Sequence, residues 1–548
     1  MTKASEMAKV SAKGGFHLLW GLVASTVISA VGTIYLANLL SEGEMGLYAL
    51  AIAAPNLIGV FRDWGINAAL IRYTAQYNSE KQIIRTKTIL VASLKFEVVA
   101  GVALTIVSFL FSSLFANLYN LTAITPLIQI ASFTILISAF VTVAQAAFTG
   151  LERLELNSIT LIIQSIIKAL LIPAFVIIGL GVFGAVLGFT IAFLIAGVTA
   201  TLLLWLLYKK LPASASSLIQ QQEANKTETK DSIKTLLKYG LPLSIAPIIA
   251  AFQTQFYTIL MGIYATKDVV GNYAVATTFV VLITFFATPI TTMLFPAFSK
   301  LDPQKDHEAL KSVYQFSVKY AALFVVPVAA IVIALSQPAV STLFGNKYSI
   351  APLLLSLLAI NYTYTAFGSL SAGNFINGQG KTRFNLKLSL LTALIGFPLS
   401  IALTAQLGII GIIITTLIAG LPGLIISLYW IKKYYNLTID WQSSGKILFS
   451  STLAGVAAFT LQSQLTFSSW INLIIGVTVF SVVFLPSVLL TRTINTSDIE
   501  NLRQMSASLG QINRVLNPTL NLVEKLLLKI TGYTKKPDGS LKSTDSPL

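Results

Sequence analysis

The chain has 548 residues, of which 55% are hydrophobic and only 11% charged, with a mean hydropathy of +0.78. Long apolar runs separated by short charged clusters exclude a soluble globular domain and describe an all-α polytopic membrane protein. The net charge of +16 would suggest nucleic acid in a soluble protein, but here Lys and Arg crowd into alternate loops, where they set topology, so no nucleic-acid partner is expected.

Cysteine is absent and the two histidines, His17 and His307, lie far apart. Disulfides, thiolate nucleophiles and histidine metal clusters therefore drop out, and neither a metal nor a cofactor is expected. The first apolar run is too long for a cleavable signal peptide and reads as a first transmembrane helix.

Apolar length predicts about 14 transmembrane helices, near 16–40, 46–73, 88–118, 124–149, 158–179, 184–208, 237–262, 271–298, 313–338, 350–375, 385–406, 409–431, 446–465 and 470–491. With this count one set of loops holds Lys3, Lys9, Lys13, Lys81, Arg85, Lys87, Arg153, Lys209, Lys210, Lys226, Lys230, Lys234, Lys300, Lys305, Lys311, Lys381, Arg383, Lys432 and Lys433, and the other only Lys267 and Lys347. That asymmetry predicts a multi-pass protein of the cell membrane with both termini cytoplasmic. Of the Asn-x-Ser/Thr sequons, only Asn120 falls in an outside loop.

The second span, Gly46 to Tyr73, carries the adjacent charges Arg62 and Asp63. Counted from Tyr73 at helical rise, Arg62 lies about 16 Å in, close to mid-membrane. Lys95 and Glu97 in the third span and Lys168 in the fifth add to it, Lys95 about 12 Å and Lys168 about 16 Å from their basic ends. Five unpaired charges at that depth would cost on the order of 12–17 kcal/mol, so they require partners or a hydrated cavity. Lys95 and Glu97 are two residues apart and point in opposing directions on a helix. Two readings remain open: Arg62, Lys95 and Lys168 form an anion-binding wall, or static ion pairs brace the fold.

Internal similarity organises the rest. Gly46-Leu47-Tyr48-Ala49 returns as Gly271-Asn272-Tyr273-Ala274, Thr125-Pro126-Leu127 as Ala351-Pro352-Leu353, Gly181-Val182-Phe183-Gly184 as Gly408-Ile409-Ile410-Gly411, and Trp205 with Lys209-Lys210 as Trp430 with Lys432-Lys433, at an offset of about 225 to 230 residues. Six spans per repeat is even, so the halves share one orientation, related by an axis along the membrane normal. The predicted organisation is a first six-helix lobe (14–210), a polar cytoplasmic linker (211–236), a second six-helix lobe (237–433), two appended C-terminal helices (446–491) and a cytoplasmic tail (492–548). In that tail Ser497-x-x-Glu500 resembles a capping box ahead of an amphipathic helix from Ile499 to Leu516, a second helix is expected at 519–531, and 533–548 are expected to be disordered. The second lobe offers Gln253, Gln255, Asn361, Tyr362, Tyr364 and Asn374, whose amides and hydroxyls suit either sugar hydroxyls or interhelical hydrogen bonds.

Leu39-Leu40-Ser41-Glu42-Gly43-Glu44-Met45-Gly46-Leu47-Tyr48-Ala49 and Asp63-Trp64-Gly65-Ile66-Asn67-Ala68-Ala69-Leu70-Ile71-Arg72-Tyr73 carry a resemblance. With Leu343-Phe344-Gly345-Asn346-Lys347-Tyr348 and Asn377-Gly378-Gln379-Gly380-Lys381-Thr382-Arg383, the chain resembles polysaccharide-biosynthesis flippases of the multidrug/oligosaccharidyl-lipid/polysaccharide exporter superfamily. The resemblance implies two lobes around a cavity that alternates between inward-open and outward-open, turning a lipid-linked pyrophosphate oligosaccharide over the membrane. Its implied partners are the lipid-linked glycan, membrane lipids and glycosyltransferases of the same pathway. A cation-coupled drug exporter of the same fold would be expected to keep an acidic residue in its first or seventh span, and residues 16–40 and 237–262 have none. An integral-membrane glycosyltransferase would need a carboxylate pair or metal-ligand cluster near a loop, and the sequence supplies neither, so no enzyme activity is expected.

Overall fold

A computed structural model of the chain describes residues 3–211, 217–495, 498–500, 503, 517–518, 521, 524–525, 533–535 and 541–543. The described path is α1 (Lys3–Leu39), α2 (Glu42–Gly59), α3 (Ile66–Ser79), α4 (Ile83–Leu110), α5 (Ser112–Leu118), α6 (Thr125–Gly150), α7 (Leu154–Phe175), α8 (Gly181–Lys210), α9 (Ser217–Tyr264) and α10 (Lys267–Ser299). It continues as α11 (His307–Ala334), α12 (Ser336–Phe344), α13 (Ala351–Ile360), a 3-10 segment (Asn361–Phe367), α14 (Ser369–Gly378), α15 (Thr382–Leu407), α16 (Ile409–Ala419), α17 (Leu421–Tyr435), α18 (Trp441–Gln464) and α19 (Ser469–Leu490). The second part of the expected linker is thus helical, because α9 runs from Ser217 straight into the seventh predicted span.

Among the described residues, 11 helices are long and apolar enough to cross a membrane, or up to 12 if the bent pair Ala351–Phe367 and Ser369–Gly378 is one span. The difference from fourteen lies in two places. Residues Leu154–Lys210 count as one stretch of 57 residues, yet the backbone turns within it at Gly179 (φ 93) and Gly181 (φ 53). The other is the predicted span 46–73, which is not one helix: α2 ends at Gly59, residues 60–65 belong to no helix, and α3 starts at Ile66.

The chain divides into two compact units. The first comprises Met1–Pro289, Leu343–Leu358 and Ile376–Trp430. In it α1 packs along α7, with the Ser29 hydroxyl donating to Ser165 Oγ at 3.1 Å, an interhelical hydrogen bond of the kind that holds helices together in lipid. Where α3, α4, α6 and α9 meet, Ile66, Leu70, Ile89, Val143 and Leu236 form a core with at most 2% of any side chain exposed.

The second unit comprises Ile290–Thr342, Ala359–Phe375 and Ile431–Leu548. Its centre is α11, which packs against α18 and the 3-10 segment through Ala322, Val326, Ala366 and Ile447. The two appended helices lie together, Ser487 donating to Ser450 Oγ at 3.0 Å. Just past α19, Asp498 is 1% exposed and takes Lys319 Nζ of α11 at 2.6 Å and the Tyr320 hydroxyl at 3.1 Å. The reciprocal cap of the tail is formed by Asn495 and Asp498, each accepting the other's backbone N–H at 2.8 and 2.9 Å, two residues ahead of the expected Ser497-x-x-Glu500. Most of the helices expected at 499–516 and 519–531 lies outside the described residues. Within the stretch expected to be disordered, Tyr533–Lys535 pairs antiparallel with Leu541–Ser543.

Candidate functional site

The break between α2 and α3 is where the buried charge gathers. Gly65 takes φ +82, a left-handed conformation natural to glycine, and sits so close to Gly240 of α9 that a Cβ on either would run into the other's backbone. Two glycines are what let α9 press against the break. Asp63 Oδ1 accepts the Asn67 N–H at 3.3 Å, which caps the first turn of α3.

Arg62, 6% exposed, pairs through Nη1 with Glu97 Oε2 of α4, a residue with no exposed surface. The same nitrogen donates to Thr142 Oγ1 of α6 at 3.2 Å. Asn67 Nδ2 donates to the other carboxylate oxygen, Glu97 Oε1, at 3.2 Å. The Glu97 carboxylate thus ties α4 to the break and to α3, and the Arg62 guanidinium carries the network on to α6; burial makes the ion pair costly to break from one side. Nε and Nη2 of Arg62 have no protein partner among the described residues, so part of the fork of donors stays unused.

The other sequence-predicted residues are dispersed. Lys95 points away from Glu97, as its two-residue offset requires, and is exposed, with no hydrogen bond or ion pair among the described residues. Lys168 is half-buried, its Nζ 4.9 Å from the Phe189 ring centroid and 5.8 Å from that of Phe193. An ammonium over two ring faces is held without a counter-charge. Gln253 donates to the Tyr257 hydroxyl at 2.5 Å, while Gln255 is half-buried. Asn361 and Tyr364 lie in the 3-10 segment of the second unit. Asn374 there spends its amide on the Leu370 carbonyl at 2.7 Å.

Sequence reasoning missed a polar cluster at the ends of α1 and α10. Gly46 and Gly271 cross reciprocally: a Cβ on Gly46 would strike the Lys267 carbonyl, and one on Gly271 the Glu42 carbonyl. Asn272, fully buried, donates to Glu42 Oε2 at 2.5 Å and accepts the N–H groups of Ile350 and Ala351 at 3.1 and 2.9 Å. Lys347 Nζ donates to the Ala37 and Asn38 carbonyls at 3.2 and 2.9 Å, and the Tyr348 hydroxyl to Ala37 at 2.8 Å. These are the orphan acceptors of the last turn of α1, where a cation is electrostatically favoured. Ser41 caps α2 reciprocally with Glu44, and chiefly the Ser41 backbone N–H holds that carboxyl below the usual carboxylate range. The available signals were the motif around Lys347-Tyr348 and the repeat of Gly46 at Gly271.

A family model described as polysaccharide biosynthesis protein matches residues 11–302. A probable low-salt glycan biosynthesis flippase of Haloferax volcanii, Agl15, is 19% identical over 269 residues, which are 49% of this chain and 57% of the relative. The chain therefore spans little more than half of that relative's length. The lipopolysaccharide biosynthesis protein WzxC of Escherichia coli is 22% identical over 423 residues, 76% of this chain and 80% of its own. Among solved structures, the lipid II flippase MurJ in an inward closed conformation superposes with a TM-score of 0.66 at 16% identity, covering 85% of this chain and 97% of that one. That likeness is one of fold.

Proposed function

The chain belongs to the polysaccharide biosynthesis protein family, and from that premise we propose that it is a flippase moving a lipid-linked oligosaccharide from the cytoplasmic to the outer leaflet by alternating access. Relatives named for glycan and lipopolysaccharide biosynthesis, one of them a flippase, carry the reading, and the MurJ-like fold supports it. The drug-exporter alternative is disfavoured by spans one and seven, which contain no carboxylate.

In this reading the protein is a transporter of the cell membrane without enzymatic activity, both termini are cytoplasmic, and glycosyltransferases of the same pathway supply its cargo. Fourteen spans, counting the α2–α3 break and the turn at Gly179–Gly181 as interruptions, make two six-helix lobes plus α18 and α19. The reciprocal crossing at Gly46 and Gly271, positions matched by the repeat, supports the duplication. The unused donors of Arg62 face the lipid pyrophosphate, with Lys168 and Lys95 adding positive charge. Gln253, Gln255, Asn361, Tyr364 and Asn374 serve the sugars.

The test is translocation in proteoliposomes that hold a lipid-linked oligosaccharide in one leaflet. Exposure on the opposite face is read with a membrane-impermeant glycosidase. Protein-dependent exposure is expected, and a rate equal to that of protein-free vesicles would defeat the reading.

A further inference from the structure

Away from the buried charges, a cavity of about 330 Å³ opens between α3, α4 and α9 at the end of the first unit where the basic loops gather. Tyr77, Arg85, Thr88, Ser232 and Thr235 give it hydroxyls and a guanidinium, and Ile84, 43% exposed, gives it an apolar lip. Arg85 donates to Gln82 Oε1 at 3.0 Å and forms no ion pair among the described residues. Asp231 is the one acid in the lining; it is exposed and flanked in sequence by Lys230 and Lys234.

Aromatic side chains mark the level of this cavity. Arg72 lies 4.1 Å from the Tyr239 ring centroid, Lys87 5.0 Å from Tyr208 and Lys209 3.6 Å from Trp205. Tyr73 packs on both Tyr77 and Tyr239 at 5.9 and 5.8 Å. Tyrosine and tryptophan interleaved with basic residues gather where lipid headgroups meet water. A basic pocket between helices at that depth has the chemistry of a lipid-phosphate site.

We propose that this cavity binds the phosphate headgroup of an anionic phospholipid in the leaflet facing the basic loops. Arg85 is the principal donor, with its guanidinium geometry suited to phosphate oxygens. Tyr77 and Ser232 contribute hydroxyls, and Ile84 meets the first carbons of the acyl chains. The site is separate from Arg62 and independent of any glycan.

The full-length protein in detergent is titrated with phosphatidylglycerol, phosphatidylcholine or inorganic phosphate, following bound lipid by native mass spectrometry and thermal unfolding. Phosphatidylglycerol, and not phosphatidylcholine, binds and raises the unfolding midpoint. Arg85→Gln weakens that binding about tenfold, the loss of one charge-assisted contact, Arg85→Lys loses less, and Lys381→Gln, outside the lining, changes nothing. Both Arg85 variants unfold like the parent in phosphatidylcholine, because the side chain is exposed. Equal phosphatidylglycerol binding by parent and Arg85→Gln would overturn the site. Protection by inorganic phosphate alone would overturn its assignment to lipid.

Discussion

Removing the Arg62 guanidinium strands the Glu97 carboxylate, which has no exposed surface and would keep only its bond from Asn67. Breaking a buried pair from one side costs about 3–5 kcal/mol, enough to deplete a protein of ordinary stability. Arg62→Ala is therefore expected to lower membrane abundance severalfold, and adding Glu97→Gln should recover much of it. Neutralising Asp63 instead should not, since Asp63 bonds the Asn67 N–H. Arg62→Lys keeps the charge for Glu97 but loses the planar fork, so abundance stays near normal while translocation falls by about tenfold. Immunoblotting of membranes beside the glycosidase assay separates the two effects. Normal abundance of Arg62→Ala would remove the brace; normal translocation at normal abundance would remove the anion contact too. The sequence demanded either a partner or a hydrated cavity for Arg62, because an unpaired charge at that depth is too costly, and it left Asp63 and Glu97 both eligible as partners. Choosing between them took the fold, since Glu97 is 35 residues away.

The α2–α10 crossing depends on the absence of two methyl groups. Gly46→Ala or Gly271→Ala forces the helices apart at the end held by Asn272, Lys347 and Tyr348. In this cysteine-free chain Val270→Cys, 1% exposed as valine, is expected to resist thiol reagents in the parent background and to label readily beside Gly46→Ala. Equal labelling would show that the crossing accommodates a Cβ. At this scale apolar length located the long helices, and α4, α6, α11, α15, α18 and α19 each fall on a predicted span. It failed at 46–73, where the run of apolar residues reads as one helix. The break there is tertiary: Gly65 is held at φ +82 against Gly240, a contact no local pattern contains. Hydrophobic runs report what lipid tolerates, and they are silent about where another backbone needs the chain to open.

Charge asymmetry between loops is a property of the whole chain, and it makes one test of topology decisive. Asn346→Cys, in the exposed loop beside Lys347, should react with an impermeant maleimide added to intact cells, and a cysteine at Lys230 only after permeabilisation. The reverse pattern would invert every loop. The Lys319–Asp498 pair sets a second whole-chain prediction: truncation after Leu490 leaves Lys319 without its carboxylate. Yield should fall, and Lys319→Met in the truncated chain should restore it; unchanged yield of the truncation alone would show that the pair contributes little. The pair also has a bearing on biogenesis. Its partners are 179 residues apart, so when the ribosome has delivered α11 to the insertion machinery, Asp498 has not yet been made. Lys319 must wait in a provisional setting through the synthesis of every later span, and its pair forms only once the chain has been extended the 179 residues to Asp498. Nascent chains stalled before residue 498 should therefore leave α11 accessible to quality-control proteases that ignore the finished protein.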